Sequence, residues 1–548
     1  MKKSIKGKVV TGVIDLIGMV RKASTIINKK PNLDRNSSDC SLSGGAILKN
    51  LAWIIVGFGV ISRIVRYLAN RSLWGDEAYI AINLIDRSFQ GLMEPLAFNQ
   101  VAPVGFLALE KIIILLFGHS EYALRAFPLI AGLSAMAVFY VVVSEALEEQ
   151  EVVVAMMLFA ISESLIFYSS ELKQYSSDVL VCLVIILPAL RIVRNGMNWT
   201  RLAMLATAGT VGVWFSLSAV FVCGGVGFTL LIYQFFYFRR ASAVAKVALV
   251  TVLWALSFAI EYFWVLRSAQ TNEYLVASWA GFFAPMPGFS ADCFKWYRKT
   301  FFSIFNDPTG LPSMEIAAVI FLVGLVRFWQ RNRLLLIMLL SPIGLLLIAS
   351  ILGLMPFPTN SHYHLLDRYY PFYGRIILFT VPLLISVLAC GCTYILGFND
   401  RRYHYFGRII VFLLIAMPTL VLFLNMVSPP KIQEMRPLLE QIETRYQNGD
   451  KIYVQTFSRQ IVEYYTGLRG MEGVSGEFTA RENKYLLKVI LTAEAMNTGS
   501  RFWFITLHHP HWKSDTERQK ITDVLKQYGD ELEHFKSYNG EASLYRIR

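Results

Sequence analysis

Residues 48–79 read LKNLAWIIVGFGVISRIVRYLANRSLWGDEAY, and this stretch contains both features that decide the fold. Residues 48–69 form an apolar run long enough to cross a bilayer as a helix, which takes about 20 residues. Directly after it, residues 73–79 carry two adjacent acids between aromatic side chains. We therefore predict a membrane helix that leads into a pair of carboxylates at the membrane surface.

The composition of the whole chain is typical of a polytopic membrane protein. Of its 548 residues, 55% are hydrophobic and 17% are charged, whereas soluble domains carry about 25% charged residues. Aromatic residues make up 14%, which suits belts of Trp and Tyr at the two interfaces. These values exclude a disordered chain, a secreted disulfide scaffold and an ordinary soluble enzyme. The net charge of +13 indicates loop topology and attraction to anionic lipid rather than nucleic-acid binding.

One of the apolar runs along the chain is too short to span a membrane. Residues 103–117 number about 15 and contain Glu110 and Lys111, whereas a span needs at least about 17. We predict that this run lies at the interface. The eleven predicted spans are 48–69, 124–144, 152–168, 176–193, 202–218, 219–238, 243–266, 313–330, 334–354, 374–397 and 407–427.

The distribution of arginine favours the same eleven-span arrangement. Lys and Arg collect in cytoplasmic loops, and a twelfth span would turn every Arg-rich loop to the outer face. We therefore predict a cytoplasmic tail at 1–46, a transmembrane domain at 47–427 and an extracytoplasmic domain at 428–548. The Arg-rich loops are 191–201, 239–246, 327–333 and 399–408.

The C-terminal part has the pattern of a soluble α/β domain. Apolar alternation predicts strands at 451–456 and 501–507, and Asn539-Gly540 between alternating residues predicts a terminal hairpin. Helical spacing predicts helices at 432–447, 458–467, 480–496 and 513–528.

The outer segments carry the acids that could do chemistry. Asp76 and Glu77 follow the first span, and Glu171 and Asp178 border a later one. A charge that faces lipid costs several kcal/mol, so such acids need a partner or a role. The first pair is either a cap for a helix at 77–90 or a catalytic pair. Glu171 and Asp178 would share one face if their segment is helical; the structural alternative is a helix-start acid paired with a neighbouring lysine.

Cations and aromatic residues at the ends of the outer spans suit an anionic phosphate. Arg368, Tyr369 and Arg375 lie at the entry to the span at 374–397, while Arg125 and Lys173 lie beside earlier spans. Arg binds phosphate through several N–H groups at once. The alternative is plain anchoring, in which Arg and Tyr snorkel to the interface. His508, His509 and His511 could suggest a metal, but they have no Cys or acid partners at ligand spacing, which favours a surface cluster.

Five motifs follow one another along the chain: Asp76-Glu77, Ala102 to Phe106, Gly118 to Arg125, Glu171 to Tyr175, and Pro371 to Arg375. This ordered set resembles the polyprenyl-phosphate-sugar-dependent glycosyltransferases of the GT-C fold, within the branch of protein O-mannosyltransferases and lipid A aminoarabinose and galacturonic acid transferases. The resemblance covers residues 48–395. Val101-Ala102-Pro103-Val104 departs from the mannosyltransferases' His-Pro-Pro-Leu. The Trp-Trp-Asp motif of oligosaccharyltransferases is absent, which argues against metal-dependent transfer to Asn.

The resemblance implies an α-helical GT-C membrane enzyme of about 11 spans. It would move a sugar from a polyprenyl-phosphate donor to a hydroxyl of a glycolipid, polysaccharide or protein at the outer face, with inversion. Asp76 matches the family's proposed base, Glu77 follows it, and Glu171 or Asp178 falls at the second outer acid. The expected donor-binding residues are Arg125, Lys173, Arg368, Tyr369 and Arg375.

The resemblance also implies the surroundings of the reaction. No cofactor and no divalent metal are expected, because the lipid-linked sugar is itself the activated donor. The expected partners are that donor, its acceptor and membrane lipids, without nucleic acid. The expected location is a bacterial inner membrane.

Two rival functions stay open at the level of sequence. A transporter or flippase would carry charged or helix-breaking residues in mid-span and show repeat symmetry. A polysaccharide polymerase or ligase would handle the same lipid-linked sugars with another pattern of outer loops. A non-catalytic scaffold explains least, because three ionisable clusters fall on one face.

The predicted topology can be tested with reporter fusions. The N-terminus should lie inside and the C-terminal part outside, since the Arg-rich loops then all face the cytoplasm. A reporter that works only outside the cytoplasm should be active when fused after residue 430. Activity at that position from a cytoplasm-only reporter would contradict the eleven-span arrangement.

Overall fold

The fold was analysed in a computed structural model of the whole chain. It describes residues 40–359, 373–397, 401–447, 450–455, 458–469, 474–478, 499–507, 523, 525–527 and 529–548.

The membrane part is a bundle of helices that begins with α1 (Cys40–Leu68). Among the described residues, eight helices are long and apolar enough to cross a membrane, and they coincide with eight of the eleven predicted spans. The prediction of a helical polytopic protein is thereby confirmed. These eight helical stretches are Gly45–Leu68, Glu121–Ala146, Tyr175–Asn195, Ala219–Phe236, Ala241–Gln270, Arg333–Ile351, Gly374–Leu396 and Tyr405–Val427.

The helices of the chain are numbered in order. The first ten are α1 (Cys40–Leu68), α2 (Gly75–Asp86), α3 (Val104–Phe117), α4 (Glu121–Leu124), α5 (Ala126–Ala146), α6 (Glu149–Ile161), α7 (Glu163–Tyr168), α8 (Tyr175–Asn195), α9 (Trp199–Gly212) and α10 (Ala219–Ile232). The next eight are α11 (Ala241–Glu261), α12 (Arg267–Gln270), α13 (Glu273–Trp279), α14 (Ala291–Asn306), α15 (Met314–Arg331), α16 (Arg333–Ile351), α17 (Val381–Leu396) and α18 (Arg401–Val427). The last two, α19 (Arg436–Arg445) and α20 (Arg459–Arg469), belong to the C-terminal part.

Of the remaining three predicted spans, two are interrupted and the third is an unbroken helix with charged ends. The run at 152–168 is divided into α6 and α7 at Ser162, whose backbone is extended (φ −63°, ψ 108°). The run at 202–218 becomes α9 followed by a 3₁₀ turn. The run at 313–330 becomes α15, which carries acidic and basic residues at its two ends. Apolar length alone therefore does not reveal these breaks.

The short run at 103–117 folds as predicted, into a helix too short to span. Helix α3 has 14 residues, and its C-terminal Leu115, Leu116 and Phe117 are exposed. Lys111 points inward instead, and its Nζ donates to the backbone carbonyl of Leu84 at 2.6 Å, near the C-terminus of α2. A cation there complements the negative end of the helix dipole. Helix α3 thus fixes the far end of the helix that carries the acid pair.

Close helix contacts in the bundle depend on glycine. A Cβ on Gly324 of α15 would lie 2.2 Å from the carbonyl oxygen of Val387, and one on Gly391 of α17 would lie 2.2 Å from that of Ile320. Small residues of this kind let membrane helices approach to backbone contact. The late span that begins near Arg375 is therefore held against α15.

The C-terminal part contains a five-stranded mixed sheet. The strand order is β2-β1-β3-β5-β4, with β1 parallel to both of its neighbours and β5 antiparallel to both of its own. This confirms the predicted α/β character, the two predicted strands and the Asn539-Gly540 hairpin. The predicted helices at 480–496 and 513–528 fall almost wholly outside the described residues. The strands are β1 (Lys451–Gln455), β2 (Val474–Phe478), β3 (Arg501–Leu507), β4 (Gly529–Ser537) and β5 (Gly540–Ile547).

The C-terminal sheet and the first outer segment share one hydrophobic core. Leu73, Ile80 and Phe106 from the outer segment pack in the same cluster as Leu439 and Tyr465 from the C-terminal part. All five side chains are almost fully buried. Burial of apolar surface stabilises a contact by about 25 cal/mol per Å², so this shared core holds the C-terminal part against the first outer segment.

Candidate active site

The acid pair predicted from the sequence lies in the first turn of α2. Trp74 has an extended backbone (φ −99°, ψ 174°), and the helix begins at Gly75. Asp76 and Glu77 are therefore first-turn acids, where the helix dipole favours negative charge, and neither is the N-cap residue. Successive residues of a helix point about 100° apart, so the two carboxylates enter different surroundings.

Glu77 points into the protein and is fully buried between two arginines. Its carboxylate accepts hydrogen bonds from Nε and Nη2 of Arg125 at 2.7 and 2.6 Å and from Nη1 of Arg71 at 3.0 Å. The backbone N–H of Leu172 donates to it at 3.0 Å. Burial alone would raise the pKa of Glu77, but the charges of Arg125 and Arg71 and these hydrogen bonds outweigh it and lower the pKa. Glu77 is thus held as a carboxylate.

Glu171 completes the same buried network. Its carboxylate accepts hydrogen bonds from Arg71 and from the indole N–H of Trp74. Burial and the neighbouring charge of Glu77 raise the pKa of Glu171 to about 7, against the opposing effect of Arg71. The side chain of Glu171 is only 1% exposed, and through Arg71 and Trp74 it links the loop at 169–174 to the segment that enters α2.

Asp76 is the acid that reaches the surface of the cluster. Its side chain is 18% exposed, whereas that of Glu77 is fully buried. Arg375 Nη1 lies 2.6 Å from Asp76 Oδ2, and Lys173 Nζ lies 3.8 Å from the same oxygen. Lys173 also donates to Gln100 Oε1 at 2.6 Å. The accessible carboxylate is therefore flanked by two cations from distant parts of the chain.

The surroundings of each cation affect how favourable its charge is. Burial lowers the pKa of Lys173, an effect that the negative charge of Asp76 partly offsets. The guanidinium of Arg375 lies 5.9 Å from the ring centres of both Tyr175 and Trp279. Such cation–π contacts favour the charged group at that position.

The backbone that leads into Arg375 is anchored by Asp307. The N–H of Gly374 donates to Asp307 Oδ2 at 2.9 Å, and a Cβ on Gly374 would lie 2.3 Å from Asp307 Oδ1. Only glycine fits this approach. Burial raises the pKa of Asp307 to about 7, although hydrogen bonds from backbone N–H groups oppose the shift.

Other predicted site residues lie away from the exposed end of the cluster. Arg125 is 2% exposed and is occupied by Glu77 and by the backbone carbonyls of Arg71 and Ser72. Asp178 is buried inside α8. That helix begins only at Tyr175, so the helical premise that put Glu171 and Asp178 on one face is wrong.

Two of the predicted donor-binding residues, Arg368 and Tyr369, lie outside the described residues. Conversely, three residues of the cluster were missed in the sequence: Arg71, Gln100 and Asp307. Arg71 could have been found by asking which cation balances two acids placed next to a span. Gln100 and Asp307 carry no such signal, because only tertiary contacts bring them to the site.

A metal centre is not formed by the part of the chain that the structure describes. No group of three or more His, Cys, Asp or Glu residues there could hold an ion. At the exposed carboxylate itself, the charges next to Asp76 come from Arg375 and Lys173.

Comparison with known proteins gives similarity in solved structures alone. No protein-family model and no curated protein matches the sequence. The apo crystal structure of ArnT from Cupriavidus metallidurans is similar at a TM-score of 0.49 and 12% identity, over 90% of this chain and 97% of that one. ArnT bound to undecaprenyl phosphate gives 0.48 and 12%, over 90% and 98%.

A second kind of structure is similar to about the same degree. The oligosaccharyltransferase AglB from Archaeoglobus fulgidus, in complex with an inhibitory peptide and a dolichol-phosphate, gives a TM-score of 0.47 and 8% identity, over 90% of this chain and 74% of that one. ArnT and AglB are both GT-C glycosyltransferases, the fold class that the sequence resembles. Similarity at this level carries no conclusion about activity, so function has to be derived from the site itself.

The difference between the two neighbouring acids can be tested by stability. Glu77→Gln should lower the free energy of unfolding by about 3–5 kcal/mol, because it leaves the buried Arg125 without its carboxylate and leaves Arg71 with Glu171 alone. Asp76→Asn, one residue away and equally isosteric, should cost less than about 1 kcal/mol, as a partly exposed ion pair does. Thermal midpoints of the two purified variants in the same detergent would show the difference. Equal midpoints would contradict the buried role of Glu77.

Proposed function

We propose that this protein is a membrane glycosyltransferase that moves a sugar from a polyprenyl-phosphate donor to an acceptor hydroxyl. The observation that carries the proposal is the state of Asp76. It is an accessible carboxylate beside two cations, at the ends of membrane helices, above a network of fully buried charges. This arrangement supplies a base and a phosphate site at one place on the membrane surface.

The proposed reaction is a single displacement at the anomeric carbon. The acceptor oxygen forms a bond to that carbon while the bond from the carbon to the phosphate oxygen breaks, and the phosphate keeps the electron pair. Asp76 takes the proton of the acceptor hydroxyl, as a general base within hydrogen-bond reach would. Attack opposite to the leaving group inverts the configuration. Phosphate is already a good leaving group, so the site needs no strong acid.

Arg375 and Lys173 are the proposed phosphate-binding residues. Together with Asp76 they carry a net charge of plus one, which a monoanionic sugar–phosphate diester would neutralise. Their hydrogen bonds to the departing oxygens would strengthen as negative charge develops there, and this is how such groups accelerate transfer. Binding of the diester would also draw the two cations away from Asp76 and leave its carboxylate more basic. Arg368 and Tyr369 are proposed to add to this site.

The remaining acids have a supporting role in this proposal. Glu77, Glu171 and Arg125 lie too deep to touch a substrate, and we assign them to holding α2 and the loop at 169–174 in register. Asp178 is likewise a support within α8. Asp76 then acts alone as the base.

The proposed setting combines the predicted topology, which gives the outer face, with the family resemblance, which implies the membrane and the acceptor. The reaction would take place at the outer face of a bacterial inner membrane, with the sugar in water and the isoprenoid chain in lipid. The acceptor would be a glycolipid, a polysaccharide or a protein, and no divalent metal would take part.

Mass spectrometry of envelope glycolipids and glycoproteins, with and without the gene, would identify the product. An unchanged glycan profile together with altered movement of lipid-linked sugar across the membrane would instead indicate a flippase.

Asp76→Asn tests the base. A general base typically contributes about 100- to 10,000-fold to the rate, so turnover should fall by that factor once the product is known. Binding of undecaprenyl phosphate, followed by intrinsic Trp fluorescence, should persist because both cations remain. Asp76→Glu should also be slow, since a displacement of about 1 Å can cost about 100-fold. Near-normal turnover in a folded Asp76→Asn protein would reject the role.

Arg375→Gln tests the phosphate site. A hydrogen bond to a charged group contributes about 1.5–3 kcal/mol, so affinity for undecaprenyl phosphate should weaken by about 10- to 100-fold. Arg298→Gln provides the matched control, because Arg298 is an exposed arginine of α14. If both variants bind the lipid phosphate as the parent does, Arg375 is only an anchor.

A further inference from the structure

The segment at 70–75, which leads into the acid pair, is held by the C-terminal part of the chain. The N–H of Gly75 donates to Gln433 Oε1 at 2.9 Å, and the N–H of Leu73 donates to the hydroxyl of Tyr465 at 2.8 Å. Ser72 donates to Glu434 through both its N–H and its hydroxyl, at 3.3 and 3.2 Å. The first N–H groups of a helix have no acceptor within it. Gln433 therefore supplies the acceptor that the N–H of Gly75 lacks in its own helix.

The residues that provide these acceptors are anchored in turn by the terminal hairpin. The N–H of Glu434 donates to the carbonyl of Tyr538 at 3.0 Å, and Ser537 Oγ donates to the carbonyl of Glu434 at 2.7 Å. Asn539 Nδ2 donates to the carbonyl of Ile432 at 2.8 Å. The turn between β4 and β5 therefore fixes residues 432–434, and these fix the start of α2.

Tyr465 connects the same segment to a second element of the membrane part. Its hydroxyl accepts from Leu73 and donates to Glu121 Oε1 at 2.9 Å. Arg436 Nε lies 3.3 Å from the same Glu121 oxygen. Glu121 is the first residue of α4, and the residue that follows this helix is Arg125, the partner of Glu77. The C-terminal part thus touches both sides of the buried network.

We propose that the C-terminal domain is the positioning element of the active site, with Gln433 and Tyr465 as its positioning residues. They hold the backbone at 73–75 so that Asp76 stands at the correct distance from Arg375, which lies 299 residues further along the chain. The effect on turnover rests on the proposed function of Asp76, whereas the hold on the backbone does not. Neither residue touches the reacting atoms.

The experiment compares variants of the full-length protein. Gln433→Ala removes the acceptor for Gly75, while Gln433→Glu keeps an acceptor oxygen there and adds a charge that a helix N-terminus favours. Tyr465→Phe keeps the ring and removes only the hydroxyl, so it provides a second test if the alanine variant does not fold. Gln441→Ala is the matched control, since Gln441 is exposed on α19. Three quantities are measured: amide hydrogen exchange of a peptide that covers residues 70–80, turnover, and affinity for undecaprenyl phosphate.

The expected result is specific to positioning. Gln433→Ala and Tyr465→Phe should speed amide exchange at 70–80 and lower kcat by about 10- to 100-fold, because misplacement by about 1 Å can cost that much. Affinity for undecaprenyl phosphate should stay within about twofold. Gln433→Glu should restore both exchange and kcat, and Gln441→Ala should change nothing.

The possible failures are distinguishable. Unchanged exchange in both Gln433→Ala and Tyr465→Phe would overturn the hold on the segment. Faster exchange with normal kcat would overturn its part in positioning. If Asp76→Asn keeps its turnover, the proposed base is wrong, and the exchange data still decide whether the C-terminal domain holds the backbone. Loss of kcat in Gln441→Ala as well would show general destabilisation and would also overturn the inference.

Discussion

Two buried glutamates neutralised by two buried arginines are the interaction on which the outer face of this protein depends. Glu77 and Glu171 bind Arg71, and Glu77 also binds Arg125. A buried charge that loses its partner is strongly destabilising, so all four side chains must arrive together. They come from the connection between α1 and α2, from α2, from the junction of α4 and α5, and from the loop before α8. The network therefore brings four separate pieces of chain into one arrangement.

The network also explains how two neighbouring acids take different roles. Glu77 turns toward the arginines, and the helix geometry then requires Asp76 to point elsewhere, by about 100° around the axis. That direction leads to the surface, where Arg375 and Lys173 meet it. The buried carboxylate of Glu77 makes the site rigid, while the carboxylate of Asp76 stays accessible to a substrate. Preorganised charges of this kind need no rearrangement when negative charge develops in a reaction.

The C-terminal sheet belongs to this same structure rather than to a separate module. Its core includes side chains of α2 and α3, and its hairpin holds residues 432–434 against the chain that enters α2. Hydrogen bonds from the C-terminal part satisfy the backbone N–H groups of Leu73 and Gly75. Buried N–H groups of this kind must find acceptors outside their own helix. The proposed site is thus built from the first outer segment, from the ends of the spans and from the end of the chain.

Sequence by itself determined the helical membrane class, the short helix at 103–117 and the α/β character of the C-terminal part with its Asn539-Gly540 hairpin. It also predicted Asp76, Lys173 and Arg375 as site residues, and the structure brings these three together. These follow from local properties: the length of an apolar run, the period of a strand, and the cost of placing a charge beside lipid. Tertiary structure decided which acid is buried and which is accessible. It also decided that residues 171–174 are not helical, that Arg71 binds both buried glutamates and that Asp307 anchors Gly374. Those outcomes depend on contacts such as that of Arg375 with Asp76, 299 residues apart in sequence, and no local pattern records which distant charge a side chain will meet.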